Sequence, residues 1–261
     1  MMHFRIVLQS TTLLRPVEVM AALPYGFDMG RPPYKTVWAL HCAMGCGDFF
    51  FDSLGVGSIV EKEQVAIIAP SLGNGFFLNS AYECQADFLQ DELMPAMRQT
   101  LPLSSCREDN FLVGVSMGGF GALRWALDRG ESFAGIAAIS GVFGRPIPMD
   151  EQLRKNRAQR ALYATFAPIM RRLLTVDGEK PYPEADLDAL LEKAVTAGIL
   201  PRVFLYCGEQ DHLSLPHTRG MAERCRAHGC AAKFVLSPGG HDMLYWRQTF
   251  HEGLQTLLSE T

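Results

Sequence analysis

Eight short runs of apolar and β-branched residues recur along the chain, at 4–9, 16–21, 36–41, 65–70, 110–115, 135–140, 202–207 and 233–237. Several are apolar at every position rather than alternating, as expected for strands covered on both faces. Between them lie stretches with apolar residues at helical spacing, over 81–99, 118–128, 215–227 and 243–258. Pro95 is expected to bend or split the first of these, because a proline inside a helix lacks the donor that its turn needs. Strands alternating with helices predict an α/β fold with a mostly parallel, doubly wound sheet of about eight strands. The first two runs have no helix between them and read as an antiparallel pair at one edge.

Residues 142–200 break the alternation. They carry helical text over 151–174, a Pro/Gly-rich break over 177–183 and a second helical stretch over 184–197, with no strand signal. This is too long for one crossover helix and too structured for a loop, so the whole of 1–261 reads as one domain with 142–200 as a helical cap insertion. In a sheet of this kind such an insertion lies over the carboxyl ends of the strands, where ligands bind.

Composition narrows the partners. The 261 residues carry a formal net charge of −4, which argues against nucleic acid or an anionic membrane as the main partner. A hydrophobic share of 48% with 20% charged residues excludes a disordered or collagen-like chain. The N-terminus lacks a basic segment followed by an apolar one, and no apolar run reaches the ~18–20 residues of a membrane span. Cysteines stand at 42, 46, 84, 106, 207, 225 and 230, an odd set without a CxxC pair or metal-ligand spacing. They read as reduced thiols in a cytoplasmic protein. A homo-oligomer is compatible with all of this.

The chemistry concentrates in three places. Gly114-Val-Ser116-Met-Gly118 follows an apolar run and opens a helix. A serine at such a sharp strand-to-helix turn needs small neighbours, and the turn lifts its hydroxyl clear of the sheet at a helix N-terminus. A serine hydroxyl needs a base, and the base needs an acid to hold it. Asp211 stands just beyond the 202–207 run and His241 just beyond the 233–237 run, so all three fall at strand ends on one rim. The developing oxyanion needs two backbone N–H groups. Met117, after the serine, supplies one, and the segment 40–45 supplies the other, with Ala43 preferred and Cys42 second. Glu209 is the rival acid. His212 either lines the site or caps the next helix. His41 reads as a structural residue beneath its loop, and Cys42 is a weaker nucleophile candidate than Ser116. Asp242 reads as a helix cap, and His217, His228 and His251 read as surface residues.

The segments GVSMGGFGA, CGEQD and GGHDMLYW, in that order, resemble the esterase D-like branch of the α/β-hydrolases, and most of all its small tributyrin and acetyl esterases. The resemblance runs from about Val17 to Phe250 and is weakest over 145–200. It implies an α/β-hydrolase fold, Ser116, Asp211 and His241 as a catalytic triad, and no metal or organic cofactor. The block 70–77 resembles the family's P-x-x-x-N-G-aromatic segment, which implies Asn74 and Phe76 along the cleft. Cys42 replaces the glycine that the family carries after its histidine, and His212 replaces an aromatic residue, which implies a more polar pocket with both residues near substrate. The implied activity is hydrolysis of short-chain acyl esters, including acetyl esters of sugars. The alternatives are an S-formylglutathione-type thioesterase and a catalytically silent binding module.

Overall fold

A computed structural model describes residues 1–29, 33–176 and 180–259. The eight expected runs form one sheet: β1 (Met2–Ser10), β2 (Arg15–Leu23), β3 (Thr36–Leu40), β4 (Ala66–Pro70), β5 (Asn110–Val115), β6 (Gly135–Ile139), then β9 (Arg202–Gly208) and β10 (Ala232–Ser237); between β6 and β9 in the chain stands a separate antiparallel pair of two-residue strands, β7 (Thr175–Val176) and β8 (Lys180–Pro181). The order across the sheet is β1-β2-β4-β3-β5-β6-β9-β10. β1 pairs with β2, and β2 with β4, antiparallel; every later pairing is parallel. Burial follows position. The largely apolar strands β3, β4, β5 and β6 are buried at every residue, whereas β1 and β10, at the two edges, alternate.

Helices cover both faces. They are α1 (Gly57–Glu63), α2 (Gln85–Asp87), α3 (Met94–Thr100), α4 (Met117–Asp128), α5 (Glu151–Lys155), α6 (Arg157–Leu174), α7 (Leu187–Ala197), α8 (Leu215–Ala227) and α9 (Met243–Ser259). One core joins the sheet to α3, α4, α7 and α8 through Met97, Leu123, Leu191 and Met221. The other joins it to α1 and α9 through Ile59, Val60, Phe250 and Leu254.

Some expectations change. The helix expected from Ala81 starts at Gln85, because Asn79–Cys84 closes a turn in which the Ser80 amide donates to the Glu83 carbonyl at 2.8 Å. Pro95 splits that helix as expected, and the split takes the form of a widened turn, Phe88–Leu93, that absorbs the missing proline donor. The stretch expected over 151–174 divides at Asn156, whose side chain caps α6 by accepting from the Gln159 amide at 3.1 Å. Residues 142–200 do contain strand, the β7–β8 hairpin, too short to leave a periodic signal. Part of the expected Pro/Gly-rich break, 177–179, lies outside the described residues. A π-helical turn at Phe49–Ser53 and the helix α1 were not expected. Phe50 is fully buried there, its ring 5.7 Å from that of Phe250.

His217 is not a surface residue but is buried on the inner face of α8. Burial lowers its pKa to about 4 from an ordinary 6.5. Below pH 6.5 the unfolded chain therefore takes up a proton that the folded chain refuses, so stability falls as pH drops and the loss levels off near pH 4. This one group is expected to account for about 3 kcal/mol of that slope. Urea unfolding of the wild type and of His217→Gln at pH 7 and pH 4.5 checks it: the substitution should flatten the pH dependence, and parallel slopes would contradict the assignment.

Candidate active site

Ser116 sits between β5 and α4 with φ 54° and ψ −111°, a strained turn for a residue with a side chain. The neighbouring glycines make that turn feasible. A Cβ on Gly114 would collide with the Gly118 carbonyl, and a Cβ on Gly118 would collide with the Leu40 carbonyl at the end of β3. The elbow therefore presses the start of α4 against the end of β3, and the Ser116 amide donates to the Ile139 carbonyl of β6 at 2.8 Å.

Three distant side chains meet at this rim. Ser116 Oγ lies 3.1 Å from His241 Nε2, and His241 Nδ1 lies 2.9 Å from Asp211 Oδ2. The carboxylate can only accept, so Nδ1 carries the proton and Nε2 faces the serine as an acceptor. Asp211 is fully buried. Burial alone would raise its pKa, but the His241 ring and the donors of Ser214 outweigh that and hold it below the ordinary value. Ser214 donates its amide to Oδ1 at 2.9 Å and its hydroxyl to Oδ2. The Trp246 ring packs edge-to-face on His241, with centroids 4.9 Å apart at 85°.

The loops carrying Asp211 and His241 are tied together. The Gln210 amide donates to the Gly239 carbonyl, and the Gly239 amide donates to Gln210 Oε1, both at 2.8 Å. Gln210, Ser214 and Trp246 were not singled out from the sequence. Ser214, three residues after Asp211, has the spacing of a side-chain-to-backbone turn and was open to detection; the other two contacts depend on where separate loops meet.

A second set of contacts shapes the turn after β3. His41 is buried, donating from Nδ1 to the Cys42 carbonyl at 2.8 Å and accepting the Leu72 amide on Nε2 at 3.1 Å. Burial lowers its pKa and keeps the ring neutral, as this structural role requires. Asn74 Oδ1 accepts the Met44 amide at 2.7 Å, and Ser71 Oγ accepts the Gly47 amide at 2.9 Å. The segments 41–47 and 71–74 are thus stitched together at three points, and Asn74 acts on the loop itself.

The remaining candidates fall in different places. Phe76 is 2% exposed and packs on Phe120 at 5.8 Å, so it belongs to the core and presents no surface to a cleft. His212 is half-buried in the loop between Asp211 and Ser214. Cys42 is half-buried, and burial pushes its thiol up to about 11, which makes it a poor nucleophile. Glu209 is exposed, its amide bound to the Ser237 carbonyl. Asp242 caps α9 by accepting the Leu244 and Tyr245 amides. Among the described residues, no group of three or more His, Cys, Asp or Glu is placed to hold a metal ion, and no helix is long and apolar enough to cross a membrane.

Comparison with known proteins places the chain in a family. A family model described as "putative esterase" matches residues 10–257. An acetyl esterase from Caldicellulosiruptor saccharolyticus is 28% identical over 256 residues, covering 92% of this chain and 91% of that protein. Among solved structures, the fluorophosphonate-binding serine hydrolase FphF of Staphylococcus aureus superposes with a TM-score of 0.82 at 24% identity, covering 98% of each chain. The S-formylglutathione hydrolase FrmB of the same organism superposes at 0.78, also with 24% identity and 98% of each chain covered. The family match spans nearly the whole chain, and the solved structures share its mostly parallel eight-stranded sheet: the chain belongs to this esterase family and is a serine carboxylic ester hydrolase with the α/β-hydrolase fold.

Proposed function

We propose that Ser116, His241 and Asp211 are the catalytic triad of an esterase acting on short-chain acyl esters, with acetyl esters of sugars as the leading class. The observation that carries it is the continuous chain of contacts, 3.1 Å from serine to imidazole and 2.9 Å from imidazole to carboxylate. His241 Nε2 takes the hydroxyl proton as Ser116 Oγ bonds to the ester carbonyl carbon. The tetrahedral oxyanion is held by two amides. Met117 N–H stands at the first position of α4, where a helix offers it no acceptor. Ala43 N–H is the second donor: its neighbours Met44 and Gly45 are committed, to Asn74 Oδ1 and the Cys42 carbonyl. The carbon–oxygen bond to the alcohol then breaks and His241 protonates the leaving oxygen. Water, deprotonated by His241, repeats the sequence on the acyl-enzyme and releases the acid.

In this reading 142–200 is a cap on a single domain, and His212 and Cys42 stand at the edge of the substrate site. The free state of all seven cysteines supports work in the reducing cytoplasm, and the net charge of −4 supports a small ester rather than a nucleic acid as partner. The similarity to an acetyl esterase supports the short acyl chain. An acyl-chain series of p-nitrophenyl esters, run beside acetylated sugars and S-formylglutathione, tests it. The expected result is at least a tenfold fall in kcat/KM beyond butyrate and the highest values on acetyl esters. Preference for S-formylglutathione would reassign the protein as a thioesterase, and absence of turnover on every ester would overturn the reading.

A further inference from the structure

Gln159 is a polar residue of the cap that reaches the catalytic loops. It lies in the first turn of α6 and is 7% exposed. Its Nε2 donates to the Gln210 carbonyl at 2.9 Å, immediately before Asp211. The same nitrogen lies 3.7 Å from where a Cβ on Gly240 would stand, immediately before His241. The Gln210 carbonyl can only accept, so it fixes which end of the side-chain amide faces it. That leaves Oε1 as the other end, and Oε1 is buried without a hydrogen-bond partner. A buried, unsatisfied acceptor is uncommon and disfavoured, and it calls for a donor from outside the chain.

We propose that Gln159 Oε1 accepts a hydroxyl of the substrate on its leaving-group side, so that the cap selects esters of polyhydroxylated alcohols. The inference rests on the triad reading above. His241 Nε2 must reach the leaving oxygen to protonate it, so the alcohol extends past the loop that carries Gly240 and His241. Oε1 carries no hydrogen and rewards only a donor, which a sugar hydroxyl has and a nitrophenyl ring lacks. The helical text is interrupted at Asn156, so Gln159 stands at the start of a separate helix, α6, rather than in the middle of a continuous one.

The test compares 6-O-acetylglucose with p-nitrophenyl acetate. Gln159→Met keeps the side-chain length and removes both polar atoms. It is expected to lower kcat/KM for acetylglucose about tenfold more than for p-nitrophenyl acetate, the worth of roughly one hydrogen bond. Equal losses on the two substrates would show that Gln159 only braces the Gln210 loop, and would overturn the proposal, as would no loss on either. A second measurement needs no substitution: the wild type should hydrolyse 6-O-acetylglucose about tenfold faster than the same ester with its other hydroxyls methylated. Equal rates there would overturn the role of Gln159 while leaving the esterase intact. A wild type inert toward p-nitrophenyl acetate would instead remove the triad reading, and this proposal with it.

Discussion

Ser116→Ala is expected to leave a folded protein whose kcat on p-nitrophenyl acetate is lower by about 10⁴-fold or more. The fold should survive because alanine keeps the Cβ that the elbow already accommodates at φ 54°. The lost hydroxyl makes one side-chain contact, to His241 Nε2. The rate should collapse because no other nucleophile stands ready at this rim: burial raises the Cys42 thiol to about 11 and the Cys207 thiol, beside Asp211, to about 12. Residual turnover above water would come from oxyanion stabilisation alone. The measurement pairs kcat with fluorophosphonate labelling, which should mark Ser116 in the wild type and nothing in the variant. Activity within tenfold of the wild type, in a variant with an unchanged melting curve, would remove Ser116 from the mechanism.

The second large effect is expected from Asp211→Asn, a drop of about 10⁴-fold in kcat with little change in KM. The carboxylate accepts from His241 Nδ1 and from both donors of Ser214. An asparagine with its oxygen toward the Ser214 amide presents its N–H₂ to both the Ser214 hydroxyl and the imidazole, which share the other position. The ring then carries its proton on Nε2, facing Ser116, and is no longer a base toward it. The substitution also changes pH dependence of stability, with a definite sign. The folded pKa of Asp211 lies below its unfolded value, so its ionised form contributes stability above about pH 3.9, and that contribution is lost as pH falls through the folded pKa. Acid unfolding of Asp211→Asn should lack this component. Glu209→Ala is the control: if it lost activity while Asp211→Asn kept it, the exposed glutamate would be the acid after all.

Much of this site was legible before any coordinates because its local demands are severe. The elbow tolerates no side chain at Gly114 or Gly118, so the glycines around Ser116 mark it in the text. Strands covered on both faces must be apolar throughout, so β3 to β6 stand out with their boundaries nearly correct. Asp211 and His241 follow because each ends a strand on one rim. What stayed hidden depends on contacts between segments far apart in the chain. Nothing in Phe76 reveals that its ring turns inward to Phe120, and nothing in His217 reveals that α8 buries it. The Phe49–Ser53 turn is too short for a periodic pattern, and its aromatic run suits a pocket wall as well as a core. Gln159 is one polar residue in helical text, and only its position over Gln210 and Gly240 sets it apart.

The three bonds joining 41–47 to 71–74 have a practical outcome for anyone reshaping the enzyme. The stretch holding Ala43 borrows its posture from a neighbour thirty residues downstream. Enlarging the cleft by editing 71–74 would therefore swing the backbone proposed to hold the oxyanion as well, so broader substrate scope and slower turnover would arrive together unless His41, Asn74 and Ser71 keep their partners.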